Sequence, residues 1–258
     1  MIITHIDPPQ MDAVGLDRGA SHHSALLDDS AAAAAQHEPS ISVRTRLLEG
    51  SISDELIRAS ETAVLLVLGI DRAKERAAYG ALGPIEDRVA VHAHCPVVVV
   101  SRLLISGPRP AKEVVVGWID AMSAWWAFNA AVAAAVVRRA PLTVLRVMPM
   151  NRQDDKPWVG DRPLLEAISS AEPPCPPSLS IRISHEVTDD AAEALVRAAD
   201  GADLLVIGCH HSDDRWSVRT GPVAEAVMRG ASCPVMLVSQ PVEAPRSRQR
   251  AAAGSNGG

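Results

Sequence analysis

Between Gly208 and Pro222 the chain reads G-C-H-H-S-D-D-R-W-S-V-R-T-G-P, which places a thiol, two imidazoles, two carboxylates, two guanidinium groups and several hydroxyls in one short stretch. Three chemistries use such groups. Cys209, His210 and His211 are zinc-ligand types, but adjacent loop residues rarely all reach one ion and no fourth ligand is evident. The expectation is therefore a solvated loop with one small buried cysteine and no metal. A Ser-His-Asp hydrolase needs its nucleophile on a tight turn, and no G-x-S-x-G occurs, so no catalytic residue is assigned. A dinucleotide fold needs G-x-G-x-x-G after its first strand, and Gly117-Trp118-Ile119-Asp120 lacks it. His92-Ala93-His94-Cys95 reads as a turn rather than a ligand set.

The elements around the loop give it meaning. Ala202 to Val238 reads as an apolar strand ending on Gly208, a polar loop, a helix opening at Gly221-Pro222, a turn at Gly230 and a second apolar strand after Cys233-Pro234. The loop thus follows the carboxyl end of a buried strand, where open parallel sheets place ligands. A weaker copy runs from Ala63 to Val100, with A-V-L-L-V-L-G, G-P-I-E-D-R-V and H-C-P-V-V-V-V in the same order, so the chain is a tandem repeat.

From Val114 onward the pattern is strand, helix, strand, helix, strand, helix, strand, helix, strand, which predicts a parallel sheet covered by helices on both faces. Its elements are Val114 to Gly117, a long Ala-rich helix over Ser123 to Arg139, Leu142 to Val147, a helix over Asp161 to Ser170, Ile181 to Val187, a helix over Asp189 to Ala199 capped by Thr188, and the pair of strands around the loop. Upstream, residues 11–38 suit a surface helix. Ile41, Val43, Thr45 and Leu47 form the apolar side of an alternating strand, and Asp54 to Glu61 form a helix after Ser53. Leu65 to Gly69 reads as a buried strand, and Val97 to Val100 as the next.

The expected organisation is a truncated domain over 1–104, a linker over 105–112, a complete domain over 113–240 and a disordered tail over 241–258. The fold class is α/β, with two tandem open parallel five-stranded sheets of strand order 3-2-1-4-5. The first domain lacks its first β-α unit. Ile2 to Pro8 matches the strand from Leu142 to Pro149, and nothing before it matches Val114 to Ala140. In that order the absent strand is the central one, so its loss leaves two edges to be satisfied. A segment upstream of Met1, another segment or chain, a degenerate domain, or direct pairing of its neighbours would each answer the gap.

Composition bounds the partners. The formal net charge is −6, with no long basic run, which argues against nucleic acid and anionic membrane. The four cysteines contain no C-x-x-C pair and suggest no disulfide framework, so a reducing cytoplasm is expected. The amino terminus has no signal-peptide pattern, and the longest apolar run, Ala121 to Val137, is short of the roughly 20 residues that span a bilayer. With one Phe and one Tyr, the cores must be built largely from Ala, Val and Leu.

These residues resemble the universal stress proteins in their tandem form. V-V-V-G-W-I-D, L-T-V-L-R-V, A-D-L-L-V-I-G and C-P-V-M-L-V carry the resemblance, which runs from Met1 to about Gln240. It implies the α/β sheet named above and, in many members, ATP bound at the carboxyl ends of strands one and four. Nucleotide-binding members share Gly, two residues, Gly, nine residues, Gly, then Ser or Thr. The glycines let backbone approach phosphate, and the helix start and hydroxyl supply donors.

Here the spacing falls on Gly208, His211, Gly221 and Pro222, so two of the four identities differ. His211 adds a ring where the motif has bare backbone. Pro222 removes an N–H, although it suits the first helical position. Thr220 or Ser217 could substitute the hydroxyl, and Arg215 or Arg219 could offset phosphate charge that Asp213 and Asp214 oppose. The family's nucleoside-contacting aspartate aligns with Ile119, with Asp120 one position later, where a strand-end side chain turns the other way. Val147 would lie beside the base.

ATP is thus a candidate ligand of domain two only. In domain one the motif is weaker, with Arg72 in place of a glycine and Gly83-Pro84 displaced by one. The resemblance also implies pairing of the last strands, Val97 to Val100 with Val235 to Val238, inside the chain or in a homodimer, and an unidentified protein partner. The expected function is a non-catalytic regulatory protein of the stress response. An ATP-binding switch and a slow nucleotide hydrolase are the alternatives.

Overall fold

The structure is a computed structural model, and it describes residues 1–7, 19–70, 84–101, 113–119, 121–150, 161–172, 174–209 and 220–239. The chain divides into two compact units, Met1–Ala59 and Ser60–Gly258. The expected linker at 105–112 and tail at 241–258 lie outside the described residues.

In the first unit, β1 (Ile2–Asp7) and β2 (Arg44–Glu49) pair in parallel across α1 (Gly19–His37), and α2 (Ile52–Ser60) follows. The apolar side of β2 differs from the expected one. Ile6 is the buried residue of β1 and its register partner is Leu48, so the inward face carries Leu48, half-buried, while Leu47 is exposed. Pairing parity with β1 decides the face, and alternation within β2 alone cannot.

The second unit holds β3 (Leu66–Ile70), α3 (Pro84–His92) and β4 (Val97–Ser101), followed by the complete repeat. That repeat comprises β5 (Val114–Trp118), α4 (Ala121–Arg138), β6 (Leu142–Met148), α5 (Arg162–Ser169), β7 (Ile181–Val187), α6 (Ala191–Ala199), β8 (Leu204–Cys209), α7 (Pro222–Gly230) and β9 (Val235–Ser239). One seven-stranded sheet runs in the order β3-β4-β9-β8-β5-β6-β7. Counted from β5, the segment from β7 to β9 has the order 3-2-1-4-5. Every pair in the sheet is parallel except β4 with β9, where Val97 faces Leu237, Val98 faces Met236 and Val99 faces Val235.

The first repeat departs from a single open sheet. Its strands divide into β1-β2, a two-stranded sheet, and β3-β4, which extends the sheet of the second repeat. Without a central strand, each surviving neighbour pair keeps its own ladder, and the last strand satisfies its other edge on β9.

The core follows from β5, whose residues Val114, Val115 and Val116 are buried on both faces, as expected for the centre of a parallel sheet. On one face lie Phe128 of α4 and the small residues Ala124, Ala127, Ala131 and Ala135, which let the helix approach Val116, Val144 and Val206 closely. Val98 of β4 joins this same cluster. On the other face, a Cβ at Gly117 would sit 2.7 Å from Leu195 Cδ2, so glycine sets how near α6 packs. Trp118 is buried edge-on to Phe128, with centroids 6.3 Å apart, which makes it a core residue. The cap of α6 is Asp190, which accepts from Glu193 N at 2.8 Å, rather than Thr188, whose Oγ1 accepts from Asp190 N.

The strand expected to be buried around Leu65 to Gly69 is an outer strand. Val67 is 62% exposed and Leu65 40% exposed, because β3 terminates the sheet and the helix that would cover this face has no counterpart in the first repeat.

Candidate functional site

The chain leaves the sheet at Gly208 and Cys209 and returns at Thr220, Gly221 and Pro222. The return is built as the residue types dictate. Gly221 is an extended N-cap (φ −65°, ψ 163°) whose carbonyl accepts from Glu225 N at 3.0 Å, and Pro222 fills the first helical position without leaving a donor there. No side chain caps this helix start.

Thr220 is buried at 7% exposure, and its donors are engaged. Its hydroxyl donates to Asp87 Oδ1 at 2.7 Å, and its backbone N–H donates to the same oxygen at 3.4 Å. Asp87, itself 6% exposed, lies on α3 of the first repeat, 133 residues away in sequence. Antiparallel pairing of β4 with β9 brings α3 against β9 and so places this carboxylate at the mouth of the second repeat's loop. Its charge is felt across the loop ends. The Cys209 thiol is pushed up to about 12, by burial first and by the Asp87 carboxylate second. Such a thiol is a poor nucleophile.

Val147 is buried at the end of β6, two strands from β8 in the order β8-β5-β6, and belongs to the core. Ile119 is exposed just after β5. Asp120 and His211, like His210, Asp213, Asp214, Arg215, Ser217 and Arg219, lie outside the described residues, as do Arg72 and Gly83 of the weaker loop. Among the described residues no group of three or more His, Cys, Asp or Glu side chains could hold a metal ion.

Two features escape a reading of motifs. Asp87 is one; its counterpart in the second repeat is Glu225, an ordinary helix-surface position, and nothing local marks the difference. The other is a polar cluster on β6 and β7, where Arg146 and His185 are register partners and both bond Asp161 at the start of α5, His185 Nε2 at 2.8 Å. Asp161 is held below the usual carboxylate range, chiefly by the His185 hydrogen bond, with the Arg146 bond and charge adding to it. The signal for this cluster was a single arginine inside the apolar run L-T-V-L-R-V.

A parallel sheet of order 3-2-1-4-5 with helices alternating along it defines an open α/β domain, and its first strand is followed by no dinucleotide fingerprint. The chain belongs to the universal stress protein family, whose family pattern matches it twice, over residues 1–101 and 113–239. It is 24% identical over 208 residues to the universal stress protein Rv2623 of Mycobacterium tuberculosis H37Rv, covering 77% of this chain and 69% of that protein. Its fold is similar to a universal stress protein from Archaeoglobus fulgidus DSM 4304, with TM-score 0.64 and 17% identity, over 93% of this chain and 86% of that one. A Pseudomonas aeruginosa PAO1 protein of unknown function is also similar, with TM-score 0.56 and 17% identity, over 92% and 81% of the two chains. Among the described residues no helix is long and apolar enough to cross a membrane.

At the loop's return, the hydroxyl that could replace the motif's Ser or Thr already donates to the Asp87 carboxylate.

Proposed function

We propose that this protein is a non-catalytic regulatory member of the universal stress family, whose second repeat keeps the spacing of a nucleotide motif without binding its ligand. The observation that carries this reading is the engagement of Thr220 by Asp87 at the loop's return. Pro222 in place of a hydroxyl residue supports it, because it removes both a side-chain donor and a backbone N–H from the helix start. A reducing cytoplasm is the setting this reading assumes, in keeping with four cysteines that contain no C-x-x-C pair.

Thermal unfolding with millimolar MgATP tests the ligand half of the proposal. A ligand that binds only the native state raises the midpoint in proportion to its saturation, and we expect no rise. Phosphate release tests the other half: turnover that scales with enzyme and survives repurification would replace a regulatory role with a hydrolase.

A further inference from the structure

The seven-stranded sheet ends differently at its two sides. β7 closes one side and carries Arg182, His185 and Glu186, with Glu186 paired to Arg197, so charge guards that edge against further strands. β3 closes the other side, and from Ala63 to Ile70 no charged side chain occurs. Val64 is 91% exposed there, and a Cβ at Gly69 would meet nothing within 4 Å. Leu66 donates its N–H to Pro96 O at 3.0 Å, toward β4. Alternation along the parallel ladder therefore turns the backbone polar groups of Val67 and Gly69 the other way, to the open side.

We infer that β3 is a dimerisation edge, at which two copies of this chain join antiparallel about Val67 into one continuous sheet. Three features select a second copy as the occupant. The chain already joins its own repeats in this manner. Val97, Val98 and Val99 are the equivalents of Val235, Met236 and Leu237, and their pairing crosses over about Val98 and Met236. An antiparallel interface between equivalent strands thus lies one strand from β3 in the same sheet.

β3 is self-complementary in the same sense. With Val67 opposite its counterpart, the two residues exchange both of their outward backbone hydrogen bonds. Leu65, just before β3, then falls opposite Gly69 of the second copy, where open space receives its side chain. The third feature is closure. One bare edge and one guarded edge let copies join only bare to bare, which stops at two chains instead of growing into a filament. β4 and β9 each have a strand on both sides, so they offer a second copy no edge.

Sedimentation equilibrium of the full chain between about 1 and 100 μM should show a monomer–dimer equilibrium with a dissociation constant of about 10 μM or tighter. Val67→Asp sets like charges opposite each other at the two-fold and should weaken the dimer at least about tenfold. An equal mixture of Val67→Asp and Val67→Lys should regain association as a heterodimer, and Arg182→Glu on the guarded edge should leave the constant within about twofold of wild type. Below its dissociation constant the wild type is monomeric, and there the Val67 variants should melt in urea as it does, which separates lost pairing from lost folding. A wild type that stays monomeric across the range, a dimer that Val67→Asp leaves intact or Arg182→Glu dissociates, or a mixture that fails to associate overturns the inference. Should the Val67 variants not fold, amide exchange of wild type decides: the Val67 and Gly69 N–H groups should exchange more slowly as protein concentration rises, and exchange independent of concentration overturns it.

Discussion

A-V-L-L-V-L-G and A-D-L-L-V-I-G are nearly the same peptide, yet they occupy opposite environments. In β8, Leu204 and Val206 are 0% exposed, pressed between β5 and β9 and covered by α4. In the first repeat, the equivalent Leu65, just before β3, and Val67 within it are 40% and 62% exposed. The difference lies in the neighbours. β8 has a strand on each side, whereas β3 pairs with β4 alone and ends the sheet. Apolar sequence records what a strand is suited to, and burial depends on whether the complementary surface is present.

The largest expected contrast is a charge at equivalent positions. Val206→Asp should cost more than about 4 kcal/mol and abolish cooperative unfolding of the second unit, because a carboxylate would be stranded without partners in the core. Val67→Asp should stay within about 1 kcal/mol of wild type in a urea melt. Equal losses at the two sites would mean that β3 is covered in solution.

Next come the glycines that precede the strand ends. Gly117→Ala should cost about 1–3 kcal/mol, since the new methyl meets Leu195 Cδ2 at 2.7 Å and Leu195 is itself fully buried. Gly69→Ala meets nothing within 4 Å and should be neutral or stabilising by about 0.5 kcal/mol. Urea midpoints of the two variants, read side by side, check the pair.

A smaller effect separates the second strands of the repeats. Arg146 joins Asp161 and His185, while its counterpart His5 lies against His23 with ring centroids 4.2 Å apart. The depressed Asp161 pKa is a stabilising contribution that is present above the unfolded carboxylate pKa of about 3.9 and lost as pH falls through the lower folded value. Asp161→Asn should therefore lower the urea midpoint near neutral pH and narrow its gap to wild type below about pH 4. A gap that stays constant with pH would remove the ionised carboxylate as its cause. Smallest of all, Arg229→Ala should change stability by less than about 0.5 kcal/mol, since the Glu225 pair it breaks is partly exposed.

Much of the second repeat was readable directly. Its strands carry continuous apolar runs between turn residues, and α4 is long and Ala-rich, so their existence and order follow from local patterning. The first repeat was readable only in part. The order of its elements is plain, but the face of β2 depended on Ile6 across the ladder, and the exposure of β3 on a neighbour that the repeat does not supply. At the loop, motif spacing located Gly208, Thr220, Gly221 and Pro222, and Pro222 sits at the helix start as its fixed φ favours. Asp87 was illegible, since its significance lies in a contact 133 residues away.

The sequence by itself determined the family, the α/β alternation, the repeat and the altered identities of the loop, because periodicity, glycine and proline act over a few residues. Tertiary structure decided which apolar faces are buried, how the first repeat's strands divide between two sheets, and that the carboxylate of Asp87 meets Thr220. Those outcomes depend on strand register and on which edges find partners, and neither is a property of any local stretch of chain.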